Sequence, residues 1–67
     1  MDVKHGKEVY ILFLSGRSVF YSDVRKVDTD INYSMYQITD KYNRQSFIDS
    51  KVIERIEFGR EVDIVEH

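Results

Sequence analysis

The 67-residue sequence has no cysteine, proline or tryptophan, only three glycines and only two histidines. Without cysteine there is neither a disulfide nor a thiolate metal centre to reinforce a small core, and a reducing compartment is compatible with that usage. His5 and His67 stand in what read as two tails, so a zinc site built by the chain is not expected. Gly6, Gly16 and Gly59 are isolated, which excludes a glycine-rich phosphate loop. Ser15, Ser18 and Ser22 have no base placed beside them, so nucleophilic catalysis is not indicated. No apolar run approaches the ~18 residues of a membrane span. The opening Met-Asp-Val-Lys-His-Gly-Lys lacks the apolar core and cleavage site of a signal peptide. These absences lead us to expect a cytoplasmic, non-enzymatic protein with no cofactor, no metal and no membrane contact.

Charge of one sign is also scarce. The formal net charge is −2, which argues against a general nucleic-acid binder, because phosphate contacts need clustered Lys and Arg. It is too weak for a protein that imitates DNA by negative charge. The acids gather late: Asp49, Glu54, Glu57, Glu61, Asp63 and Glu66 outweigh Lys51, Arg55 and Arg60. A chain of this length buries only about 60% of its unfolded surface and is marginal alone. Its aromatic residues, or association with itself, would have to supply the deficit.

The apolar and aromatic residues come in short blocks. Residues 1–7 read as a flexible polar tail and 8–67 as a single small β domain. Val9, Ile11 and Phe13 alternate with Tyr10, Leu12 and Leu14 in a strand over about 8–15. Neither face is polar, so the strand is expected to be covered on both sides, the second cover being another subunit. That makes Tyr10, Leu12 and Leu14 the candidates for self-association. Gly16-Arg17 suits a type II′ hairpin turn. The next strand starts at Ser18 and carries Val19, Phe20 and Tyr21. Val24 and Val27 fit either a helical turn capped by Ser22 or Asp23, or a bulged, bent continuation of that strand, which we favour.

Further strands are expected over Asn32 to Thr39, Gln45 to Ile48 and Val52 to Phe58, with a polar loop at Asp40 to Arg44. Asp49-Ser50-Lys51 reads as a tight turn with room for one 3₁₀ turn. A helix over Asp49 to Phe58 is the alternative, since Val52, Ile53 and Ile56 also have helical spacing. A last short strand around Val62, Ile64 and Val65 is flanked by acids, as an edge strand should be.

Five or six short strands with tight turns point to a small antiparallel all-β fold, a barrel of SH3 or Sm type or a strongly curved sheet. Ser15-Gly16-Arg17, then Val24-x-x-Val27-Asp28 and Ile31-Asn32-x-x-Met35, resemble the first motif of the Sm and Sm-like family. Phe47 through Ile56 is similar to the strand, turn and strand of its second motif. The first motif's second glycine falls at Ser22 or Asp23, and Asp49-Ser50 stands where the second motif carries Arg-Gly. The resemblance implies a barrel and, as one alternative function, an oligomeric ring that binds RNA. The general pattern also resembles small proteins of Gram-positive bacteria and their phages, which implies an inhibitor of a host or defence protein.

Asp28, Asp30 and Asn32 form D-x-D-x-N, but Tyr33 and Thr39 occupy the sixth and twelfth positions that a calcium loop gives to Gly and Glu. The pattern is better read as an Asx-rich turn. Tyr33, Met35, Tyr36, Tyr42 and Arg44 are the candidate contact residues, since Tyr and Arg are favoured interface anchors. Tyrosines near Arg25, Lys26, Lys41 and Arg44 would also suit base stacking. Association with a protein partner or with itself is the expected function, and nucleic acid the weaker alternative.

Overall fold

The apolar block forms strand β1 (Val9–Phe13), the middle strand of a three-stranded sheet. In the computed structural model, which describes residues 6–67, β2 (Ser18–Tyr21) flanks it on one side and β6 (Ile53–Phe58) on the other, both antiparallel. Side chains alternate across a strand. Val9 and Ile11 therefore share the core-facing side with Val19, Tyr21, Ile56 and Phe58. Tyr10 and Leu12 point the other way and are half-buried, while Leu14, beyond the strand, is 64% exposed. Within one chain, then, β1 has cover on one face, and the other is the face for which cover by another subunit was expected. A three-stranded sheet with one packing partner covers one face of its central strand and leaves the other open.

The β1–β2 connection also differs from the two-residue turn expected at Gly16-Arg17. Gly16 N donates to Phe13 O (2.9 Å) and Phe13 N to Arg17 O (2.8 Å), so the loop they close is Leu14, Ser15 and Gly16. Gly16 still supplies a positive φ of 95°, but at the end of the turn. After β2 the chain kinks at Ser22 and Asp23, with Asp23 at φ 56°, a conformation that Asp tolerates better than most residues. It then continues as β3 (Val24–Thr29) in a second sheet. The bent strand forms and the helical turn does not.

The second sheet adds β4 (Met35–Asp40), β5 (Gln45–Asp49) and β7 (Asp63–Glu66), in the order β5–β4–β3–β7. The β3–β7 pair is parallel, against the expectation of a wholly antiparallel fold. A parallel pair needs a long connection that crosses elsewhere. Here the chain leaves after β5, makes a 3₁₀ turn at Ser50–Val52, pairs along β1 as β6, and returns through Gly59–Val62. The helical alternative over residues 49–58 shrinks to that turn, because β1 offers a free edge to the β-branched Ile53 and Ile56.

The two sheets pack around Val9, Ile11, Val24, Val27, Tyr36, Ile38, Ile48 and Val62. Complete burial of a Val or Ile side chain is worth about 1.5–3 kcal/mol, so these residues dominate the stability. Part of the expected tail belongs to the fold. Gly6 O accepts from Glu61 N (2.6 Å), Lys7 O from Val24 N (2.8 Å) and Glu8 O from Gly59 N (2.7 Å), which ties the chain's start to both sheets. The rest of that tail, residues 1–5 with His5, lies outside the described residues. His67 is not loose either, since its backbone N donates to Thr29 O (2.9 Å).

Candidate functional site

Strand alternation decides which side chains the second sheet turns away from the core. Across its outer face Phe47 lies opposite Gln37, Gln37 opposite Asp28, and Asp28 opposite Val65. One step along, Met35 lies opposite Asp49. Phe47 is 65% exposed and Met35 43%, so two large apolar side chains stand in solvent next to Gln37, one across the sheet from it and one along its strand. With Thr29, Asp30 and His67 they line a shallow groove of about 240 Å³.

The polar end of this groove is fixed by its own bonds. His67 Nε2 lies 2.8 Å from Asp28 Oδ1, and Lys26 Nζ lies 3.6 Å from Asp28 Oδ2. The hydrogen bond with His67, aided by the Lys26 charge, holds the Asp28 carboxyl below the usual carboxylate range. Asp30 accepts from Ser34 N (2.6 Å) and from the Ser34 hydroxyl, and these bonds lower its pKa too. Tyr33 N donates to Asp30 O (3.0 Å). The D-x-D-x-N segment is therefore a turn, and its two carboxylates serve different partners. Among the described residues, no group of three or more His, Asp or Glu is gathered to hold a metal ion.

The candidate contact residues fall in three places. Met35 lines the groove. Tyr36 is only 8% exposed, its strand position turning it inward opposite Thr29 and Ile48. Its ring packs 6.4 Å from Tyr33 and 6.0 Å from Phe58, so it is a core residue and leaves the contact set. Tyr33, at φ 56°, precedes β4 and donates its hydroxyl to Glu66. Tyr42 and Arg44 sit in the β4–β5 hairpin, at the other end of β4 from Met35, roughly 20 Å away at about 3.4 Å per residue.

That hairpin is a firm structure. Asp40 Oδ1 accepts from Tyr42 N (2.9 Å) and Arg44 N (3.0 Å), and Oδ2 from Arg44 Nε (2.9 Å). Burial pushes the Asp40 pKa up, but these bonds outweigh it and the net shift is downward. Tyr42, 67% exposed, has Lys41 Nζ 5.2 Å and Arg44 Cζ 5.1 Å from its ring centre. Arg25 donates to Asn43 in the same loop.

Phe47, Gln37, Asp28 and His67 were not among the candidate contact residues read from the sequence. Phe47 carried a signal: its neighbour Ile48 faces the core, so in a strand Phe47 must face out. The Asp28–His67 pair carried none, because 39 positions separate the partners.

The first sheet has an open face as well. Tyr10 lies between Phe20 and Glu57, and Leu12 between Ser18 and Arg55. Phe20 is 58% exposed, and Arg55 Nη2 meets Glu57 Oε2 at 2.7 Å beside this apolar row. Leu14 and Val52, also exposed, adjoin each other where Leu14 N donates to Val52 O (2.9 Å).

No protein-family model, curated protein or solved structure matches this chain, so its role is read from the geometry of these two faces.

Proposed function

We propose that this chain is a non-enzymatic binding module that works by protein–protein association, with the outer face of the second sheet as the docking surface. The observation that carries the reading is Phe47 and Met35 standing exposed side by side next to Gln37, with Asp28 beyond it. Adjacent exposed apolar side chains rimmed by polar groups are the usual mark of an interaction site. The strand residues on that face include one cation, Lys26, against Asp28, Asp49 and Asp63. A partner with an apolar wedge and positive charge would complement it.

A catalytic use of Asp28–His67 lacks a nucleophile. Thr29, the hydroxyl residue lining the groove, donates its Oγ1 to the Asp30 carbonyl (3.3 Å). We further infer a small barrel of SH3/Sm character. What supports this is the single kinked segment β2–β3 that serves both sheets, and the 3₁₀ turn after which β6 returns to β1. The resemblance to small phage proteins makes a host enzyme or defence protein the first partner to test.

A photocrosslinking residue at position 47, with one at Lys51 as control, tests the docking surface. Expected is one protein adduct at position 47, with direct binding to that protein abolished by Phe47→Ser and kept by Tyr42→Ala. A captured partner that binds Phe47→Ser as well as the unaltered chain refutes the assignment. One observation favours a second reading, an Sm-like ring on RNA: Tyr42 between Lys41 and Arg44 offers a stacking ring with cations beside it. That reading requires a hexamer or heptamer and salt-sensitive oligonucleotide binding lost in Tyr42→Ala.

A further inference from the structure

The two open faces differ in charge, and that difference selects which one meets a second copy of this chain. Stacking the second sheet's outer face on itself would oppose two surfaces that each carry Asp28, Asp49 and Asp63 against one Lys26. The first sheet's outer face holds Tyr10, Leu12, Phe20 and Ser18, with Arg55 and Glu57 as its charges and Glu8 at its edge beside Tyr10 and Phe20. Its formal charge is −1, half that of the other face, so two copies meet with less repulsion there.

The register makes this face complementary to itself. Phe20, Tyr10 and Glu57 form one row across the strands, and Ser18, Leu12 and Arg55 form the next. A two-fold axis parallel to the sheet, running across the strands midway between these rows, exchanges them. It lays Tyr10 on the second copy's Leu12, Phe20 on its Ser18, and Arg55 on its Glu57, each contact occurring twice. Stacked sheets about 10 Å apart, with strand directions within about 30°, accommodate such an arrangement.

We propose that the chain forms a two-fold dimer through the outer face of its first sheet, held by Tyr10, Leu12 and Phe20 and registered by reciprocal Arg55–Glu57 pairs. The proposal rests on the reading that the chain acts by association, but it uses the other face. Three strands about 4.8 Å apart and five residues long give a footprint of roughly 14 by 17 Å, well below the ~800 Å² per partner of a stable complex. The dimer is therefore weak and concentration-dependent. Because the contact is isologous, assembly stops at two.

Sedimentation equilibrium from micromolar to millimolar protein tests it, with circular dichroism confirming that each variant is folded. The unaltered chain is expected to pass from monomer to dimer over that range. Arg55→Glu and Glu57→Arg, each placing like charges across the two-fold axis twice, should weaken the dimer about tenfold or more. The double reversal R55E/E57R should restore it, since it rebuilds every pair with the signs exchanged. A monomer at millimolar concentration overturns the proposal. So does any species larger than a dimer, a dimer indifferent to the single reversals, or a folded double reversal that stays monomeric. Photocrosslinking at position 47 in the same samples separates the two readings: a monomer that still captures its partner there ends the dimer alone.

Discussion

Gly59→Ala tests how the start of the chain is stitched to both sheets. A methyl group at Gly59 would sit 2.6 Å from the backbone C and O of Gly6 and 2.9 Å from Glu8 N, where ordinary contact is 3.4–4 Å. These are backbone atoms and cannot swing away, so the two segments must part by about an ångström. That motion breaks into the bonds Gly59 N to Glu8 O (2.7 Å) and Glu61 N to Gly6 O (2.6 Å). Overpacking of this kind costs about 1–3 kcal/mol, and each weakened hydrogen bond adds about 1 kcal/mol. A domain of this length has a total stability of only about 3–10 kcal/mol. Gly59→Ala should therefore lower Tm by about 15 °C or more, at 4–8 °C per kcal/mol. Gly16→Ala is the comparison, since its methyl meets nothing within 4 Å and it suffers only from the φ of 95°. Its expected cost is about 1–2 kcal/mol. Thermal and urea unfolding followed by far-ultraviolet circular dichroism would measure both. A Gly59→Ala protein no less stable than Gly16→Ala would refute the close-approach argument.

Asp28, Asp30 and Asp40 all have carboxyls held below their ordinary pKa of 3.8. Folding then favours their ionised forms, so their contribution is present above about pH 4 and disappears as pH falls through the lowered values. Tm should be level from neutral pH to about pH 5 and fall below pH 4, with a shallower fall in Asp40→Asn; an acid-stable Tm contradicts this. Thr39 is 3% exposed and its Oγ1 has no hydrogen-bond partner. Replacing a buried, unsatisfied hydroxyl by a methyl group of the same shape removes a desolvation cost of about 1–3 kcal/mol. Thr39→Val should leave stability unchanged or raise it by urea titration, and a loss above about 1 kcal/mol would show that the hydroxyl is bonded after all.

The elements that a sequence reveals best are those set by neighbours in the chain. Alternation in the sequence puts Met35 and Gln37 on one side of a strand and Tyr36 and Ile38 on the other, and the second pair is the one that faces the core. The Asp40 loop was legible because Asn43 and Asp40 carry their own turn chemistry. Gly16 and Gly59 show where this fails. Both precede an arginine, and nothing in their immediate neighbours tells them apart. Gly16 is needed for its backbone conformation, a local property. Gly59 is needed for space against Gly6, a contact between distant segments that no window of sequence contains. The parallel seat of β7 and the Asp28–His67 pair escape for the same reason, since each is decided by where the chain returns. Tyr36 was misplaced among the contact residues by residue type, although its parity with Ile38 already assigned it to the core.

The two open faces also bear on each other. They lie on opposite sides of one shared core, so no side chain of the Phe47 row belongs to the Tyr10 row. Perturbations at sites without shared partners add to within about 0.5 kcal/mol. Phe47→Ser and Arg55→Glu should therefore act independently, the first on partner binding and the second on dimer formation. A dimer built on the first sheet presents two groove faces to solvent. A partner with two matching sites would then gain avidity that the monomeric Arg55→Glu variant loses, although its own groove is untouched. Loss of affinity for a bivalent partner, with unchanged affinity for a monovalent one, is a signature that neither face produces by itself.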